Sequence, residues 1–270
     1  MIEHLLYPLI CERFKCDARY REGHLRVVNA LPERRVLGLH APEMKQVAKI
    51  ISIQGCDIVM SDGTSKRCRD GIEVIHCFEN IPSKDLCYEE MVVWGFLINL
   101  AKCSFTERLA MLESYVPVLD NWAVCDSYCA HAKWMARADK EALWVSMQRW
   151  FDSDREFEVR FAIVVAMSYF LNEEWIERLF QRIDSIDFNR IKSQYKTSKV
   201  KPKIPQQGLV QGAEPYYVRM GVAWLLATAL AKFPDPTRSY VRTSHLPDDV
   251  IKLYIRKARE SFITRTTAAI

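Results

Sequence analysis

No stretch of this chain is apolar for long enough to cross a bilayer. The longest mostly apolar runs, residues 91–101 and 221–231, fall short of the ~20 residues that a spanning helix needs. No secretory leader is expected either: Glu3 and His4 stand where a basic segment would, and Pro8 interrupts the short apolar stretch at 5–10. Without that leader, an odd total of nine cysteines reads as reduced thiols and not as a disulfide framework. These absences predict a soluble, cytoplasmic protein.

Metal and thiol chemistry have little support. Cys125, Cys129 and nearby His131 have helical spacing, and Cys11 and Cys16 form a second pair, yet neither set reaches the four ligands of a structural zinc site. A cysteine–histidine nucleophilic pair has no local signature. His4, His24, His76 and His245 are scattered and read as surface or packing residues. Trp94, Trp134, Trp144, Trp150 and Trp175 fit helix packing. No metal and no cofactor are expected.

Hydrophobic residues make up 49% of the chain and charged residues 27%, a balance that excludes a largely disordered protein. The net charge of +4 is a mild basic excess, compatible with nucleic acid. Two-residue alternation is scarce. Apolar residues recur instead at spacings of three and four over 89–101, 106–115, 121–134, 140–150, 156–170, 173–182, 216–232 and 248–261. Met91, Trp94, Ile98 and Ala101 form one such stripe, widened by Val92 and Phe96.

Helix starts are marked as well. Pro42 falls in the first turn of a helix over 43–52. Ser104 with Glu107 matches a capping box, and Asp120, Ser153 or Asp154, and Asn172 are candidate caps for three more. Serial helix pairs of roughly 35–45 residues predict an all-α fold, an α-solenoid of HEAT-like repeats in one domain over 1–270. Its concave face would suit an extended partner such as DNA.

Two segments break the helical pattern. Residues 54–70 contain Gly55, Gly63 and a Lys66-Arg67 pair and read as a loop with a short hairpin. Residues 189–213 carry Arg190, Lys192, Lys196, Lys199, Lys201 and Lys203 without an acidic residue, and Pro202, Pro205, Gly208 and Gly212 oppose continuous helix. Such a basic insertion either tracks phosphates or is a solvated loop.

Four residues carry the chemical argument. Trp122 and Asp126 are four apart and share a helical face, so a ring stands beside a carboxylate where a cation could be held. The same pair also fits a core tryptophan next to a cap or salt bridge. Arg160 sits on an apolar stripe with Val164 and Met167, a place arginine enters with a partner: an acidic side chain or a phosphate. Trp224, taken alone, reads as core.

Taken together these motifs resemble the AlkD-type alkylpurine DNA glycosylases. The segment from Gly38 to Pro42 is similar to that family's early helix-opening motif, and Trp122 to Asp126 to its central Trp-x-x-x-Asp. The stretch 158–162 resembles its arginine helix, and 216–224 the late helix ending in tryptophan. The order is as expected, although the interval from Arg160 to Trp224 is enlarged and His40 replaces a different polar residue. The resemblance implies Asp126 as catalytic carboxylate, Trp122 and Trp224 flanking the lesion's deoxyribose, and Arg160 on the neighbouring DNA backbone. It further implies a monomer acting on duplex DNA carrying cationic alkylpurines, largely without flipping the base. The alternative reading is a non-catalytic helical module that binds DNA or protein.

Overall fold

Capping residues and prolines start helices close to where the apolar spacing predicts them. The computed structural model describes residues 1–60, 62–197, 202–210 and 214–270, with backbone alone for 196, 197 and 202–210. Fourteen α-helices and two small two-stranded sheets form among these residues, an all-α helical-repeat fold. The chain divides into two compact units, Met1–Lys140 with Pro205–Gln207, and Glu141–Ile204 with Gly208–Ile270.

The first unit contains α1 (Glu3–Leu6), α2 (Glu12–Cys16), α3 (Ala18–Val28), α4 (Ala41–Gln54), β1 (Cys56–Val59), β2 (Ser65–Cys68), α5 (Gly71–Glu79), α6 (Tyr88–Leu100), α7 (Phe105–Tyr115) and α8 (Trp122–His131). Here α4 packs on α6 and α6 on α8, while α5 lies against α4, α6 and α7. Alternate helices stacked in one row, with the intervening ones behind, are the packing signature of helix-pair repeats.

The predicted stripe on α6 is too narrow. Every residue from Tyr88 to Ile98 is buried, so this helix is central and apolar all round. Gly95 lets α7 approach: a Cβ there would lie 2.4 Å from the Tyr115 hydroxyl, which donates to the Met91 carbonyl at 3.2 Å. Two side chains at the start of α6 are buried carboxylates with backbone partners. Glu89 accepts from the peptide N–H groups of Leu37, Gly38 and Leu39, and Glu90 from those of Ile2 and Cys87. Burial pushes both carboxyls up in pKa, and the peptide donors oppose that shift.

The second unit holds α9 (Lys140–Phe151, apart from Lys140 itself), α10 (Glu156–Tyr169), α11 (Ile176–Asp184), β3 (Ser193–Thr197), β4 (Pro202–Val210, apart from Pro205–Gln207), α12 (Tyr216–Lys232), α13 (Pro234–Thr243) and α14 (Asp248–Glu260). The same stacking recurs, with α10 on α12, α12 on α14, and α13 against α12. Its central helix α10 is buried at Glu156, Phe157 and every position from Val159 to Met167.

Several local expectations change. The hairpin in 54–70 forms, pairing Cys56 with Cys68 and Val59 with Ser65 across a turn at Gly63. In 189–213, β3 and β4 make a two-stranded sheet where a loop was expected, because proline and glycine exclude helix without excluding extended chain. The side chains of Lys196 and Lys203, and all of Lys199, Lys201 and Gly212, lie outside the described residues. The capping box of Ser104 and Glu107 is present. At α8, however, the cap is Asn121, whose side chain accepts from Ala123 and Val124, and Asp120 is instead buried in an ion pair.

Candidate active site and nucleic-acid interface

Three consecutive residues fix the start of α8, all by reaching back to the end of α3 and the loop after it. Asp120 accepts from the Arg34 guanidinium, at 3.1 Å from Nε. Arg34 also donates to the carbonyls of Ser83 and Leu86. Asn121 turns its Nδ2 to the Val28 carbonyl at 2.7 Å while its oxygen caps the helix. Trp122 donates its indole N–H to the Val27 carbonyl at 3.1 Å. Asn29, in the left-handed region at φ 49°, ends α3 so that these carbonyls face α8.

The consequence is a rigidly oriented first turn. Trp122 and Asp126 project from it one turn apart, both half-buried, as their spacing requires. An anchored ring and a carboxylate on one helical face can hold a positive charge between them.

Trp122 also borders a cavity of about 540 Å³, shared with Tyr20, His24, His40, Met44 and Tyr88. The Tyr20 hydroxyl and His40 Nε2 are 2.9 Å apart, and the His24 and His40 rings meet edge to face at 5.3 Å. Burial, with His40 alongside, lowers the pKa of His24. His24, expected only as a surface or packing residue, and Tyr20, which carried no expectation, both stand on α3, a helix too poor in apolar residues to register in the sequence, with Val28 as its buried residue. Gly38 is required by this wall: its φ is +92°, and a Cβ would fall 2.3 Å from the Phe14 ring.

In the second unit Arg160 and Trp224 are associated through α12. Arg160 is 4% exposed and donates to the Tyr217 carbonyl at 2.7 Å, with its guanidinium 5.7 Å from the Tyr217 ring centroid. Glu156, one turn earlier on α10, accepts from the Tyr217 N–H at 2.6 Å and from the Ser193 hydroxyl. The two side chains therefore grip both polar groups of one peptide residue at the start of α12. Burial pushes the Glu156 carboxyl up to about 7, against the opposing pull of Ser193, the Tyr217 N–H and Arg160. Trp224, two turns along α12, is 37% exposed and lines a shallow cavity of about 270 Å³ with Lys257, Glu260 and Ile263.

Glu3, Cys87 and Glu90 form the one group of three candidate metal ligands within 4.8 Å among the described residues; Cys125, Cys129 and His131 do not gather so closely. Glu90 is already engaged by two peptide donors, Glu3 pairs with Arg35, and burial raises the Cys87 thiol, so these residues serve the fold.

With helix pairs stacked in a repeat, and a tryptophan–aspartate pair on α8, the chain can be compared with known families. Residues 80–187 match the DNA alkylation repair enzyme family. That stretch runs from the end of α5 through α11, and it contains Trp122, Asp126 and Arg160. His40 and Trp224 lie outside it. The match supports a role in DNA repair, with DNA as the substrate. No curated protein and no solved structure matches the chain. No helix among the described residues is long and apolar enough to cross a membrane.

Proposed function

We propose that the protein is a DNA glycosylase that hydrolyses the N-glycosidic bond of N3- or N7-alkylated purines in duplex DNA. The observation that carries this reading is the orientation of Trp122 and Asp126 on an anchored α8 within the family-matching stretch.

Alkylation at N3 or N7 gives the purine a positive charge, so it can leave with the bonding electron pair as a neutral base. As the C1′–N9 bond breaks, positive charge moves to the deoxyribose. The Asp126 carboxylate stabilises that charge and orients a water, whose oxygen bonds to C1′ and whose proton passes to solvent. The ring of Trp122 adds cation–π stabilisation of about 0.5–2 kcal/mol; a companion role for Trp224 is what the resemblance implies. Contacts of this kind are made to the sugar and leave the lesion largely in its stack.

Arg160 is assigned the neighbouring DNA backbone by resemblance. Its burial and its bond to the Tyr217 carbonyl favour a positioning role, holding the start of the helix that carries Trp224.

The test is release of N7-methylguanine and N3-methyladenine from alkylated duplex DNA by wild type and by Asp126→Asn. Wild type should release both, and the substitution should slow release about 100- to 1,000-fold, as loss of a transition-state charge partner does. No release by folded wild type that still binds DNA would replace this reading with a non-catalytic DNA-binding module.

A further inference from the structure

Among the described residues of the second unit, the most exposed large apolar side chains are two neighbours, one of which lines a cavity with Trp224. Phe262 is 79% exposed and Ile263 72%, directly after α14. They are presented by a built turn and not by a frayed end. Thr264 is buried and donates to the Ala258 carbonyl at 2.8 Å, and the Arg265 N–H bonds the Ser261 carbonyl at 2.9 Å. Further on, the buried Tyr254 donates its hydroxyl to the Ala269 carbonyl at 2.8 Å. Anchors on both sides keep Phe262 and Ile263 facing outward.

Ile263 lines the same shallow cavity as Trp224 and Lys257, so the apolar pair continues the surface that Trp224 begins. Cations outnumber carboxylates in this part of the chain, although Glu260 lines the same cavity and pairs with Arg256 and Lys257. Lys252, Arg256, Lys257, Arg259 and Arg265 lie between residues 250 and 270 against a single carboxylate, Glu260. The Arg265 guanidinium sits 4.4 Å from the Phe262 ring centroid. Exposed apolar side chains with Arg265 over one and Lys257 beside the other match a polyanion with an apolar interior, which is what a base stack presents between its phosphates.

We infer that Phe262 and Ile263 form a wedge that enters the duplex between base pairs beside the sugar contacted by Trp224, while Lys257 and Arg265 meet the flanking phosphates. This rests on the DNA-directed reading above and extends it to a segment outside the family-matching stretch. Partial unstacking by apolar side chains is a recurrent way to open a duplex locally, and here it loosens the step next to the lesion without requiring a base pocket.

The experiment uses the full chain and a labelled duplex carrying a tetrahydrofuran abasic analogue, with 2-aminopurine at the adjacent position. Wild type should bind and raise the 2-aminopurine emission. Phe262→Ala/Ile263→Ala should weaken binding about tenfold or more and abolish the rise, with the helical circular dichroism unchanged. Phe262→Trp should restore both.

Binding within twofold of wild type together with an intact emission rise would overturn the wedge. So would a loss, in the double variant, of binding to anionic phospholipid vesicles or of self-association while DNA affinity stays unchanged, since the patch would then serve a membrane or a second copy. Wild type that binds and unstacks the probe but releases no base would end the glycosylase reading and leave the wedge standing.

Discussion

Replacing Glu156 by glutamine probes the clamp at the start of α12 through its pH dependence. The carboxyl is buried and its pKa rises from the ordinary 4.5 to about 7, with desolvation as the largest cause. The folded protein therefore holds a proton that the unfolded chain gives up between these values. A group shifted in this direction contributes its full stability below about pH 4.5 and loses it as pH rises through about 7. That interval corresponds to about 3 kcal/mol at the ordinary conversion. Glutamine keeps one oxygen to accept from the Tyr217 N–H and turns an amide N–H to the Ser193 oxygen, as a protonated carboxyl would its O–H, but does not titrate. Urea unfolding of wild type and Glu156→Gln at pH 5 and pH 8 isolates the effect, because Glu89, Glu90 and every other titrating group are common to both. The variant should gain on wild type by about 2–3 kcal/mol between the two pH values, since part of the effect is already lost by pH 5. A difference that stays constant with pH would refute the assignment of a proton to this buried site.

Two further substitutions test the scaffold around Trp122 and Asp126. Asp120→Ala leaves the buried Arg34 guanidinium without its carboxylate partner and should cost about 3–5 kcal/mol in urea unfolding, with base release falling as the start of α8 loosens. Gly38→Ala forces a side chain into the left-handed region and against the Phe14 ring; a loss of about 1–3 kcal/mol in thermal or urea unfolding is expected, and unchanged stability would show that Phe14 moves aside freely.

Much of the helical organisation was legible in the sequence because it rests on local rules. The capping box at Ser104, the proline start of α4 and the three- and four-residue apolar spacing of α6 to α12 each act within one or two turns. Where local signals were weak, helices went unread. α3 is poor in apolar residues and buries only Val28, α5 follows directly on the hairpin, and α13 opens with Pro234 and Pro236 and buries only Thr237 and Val241.

The neighbourhood of Trp122 and Asp126 divides along the same line. Their shared face follows from four-residue spacing alone, and so was determined by the sequence itself. What orients that face depends on contacts 86 to 95 residues apart: Asp120 with Arg34, Asn121 with Val28, and Trp122 with Val27. Local periodicity cannot report such pairings, because they exist only once α3 is brought against α8. Arg160 illustrates the same limit. Its place on an apolar stripe signalled that it needed a partner, but only the packing of α10 on α12 decided that one partner is the carbonyl of Tyr217, 57 residues away, since the burial of a charge and the donor it must satisfy are properties of the assembled core.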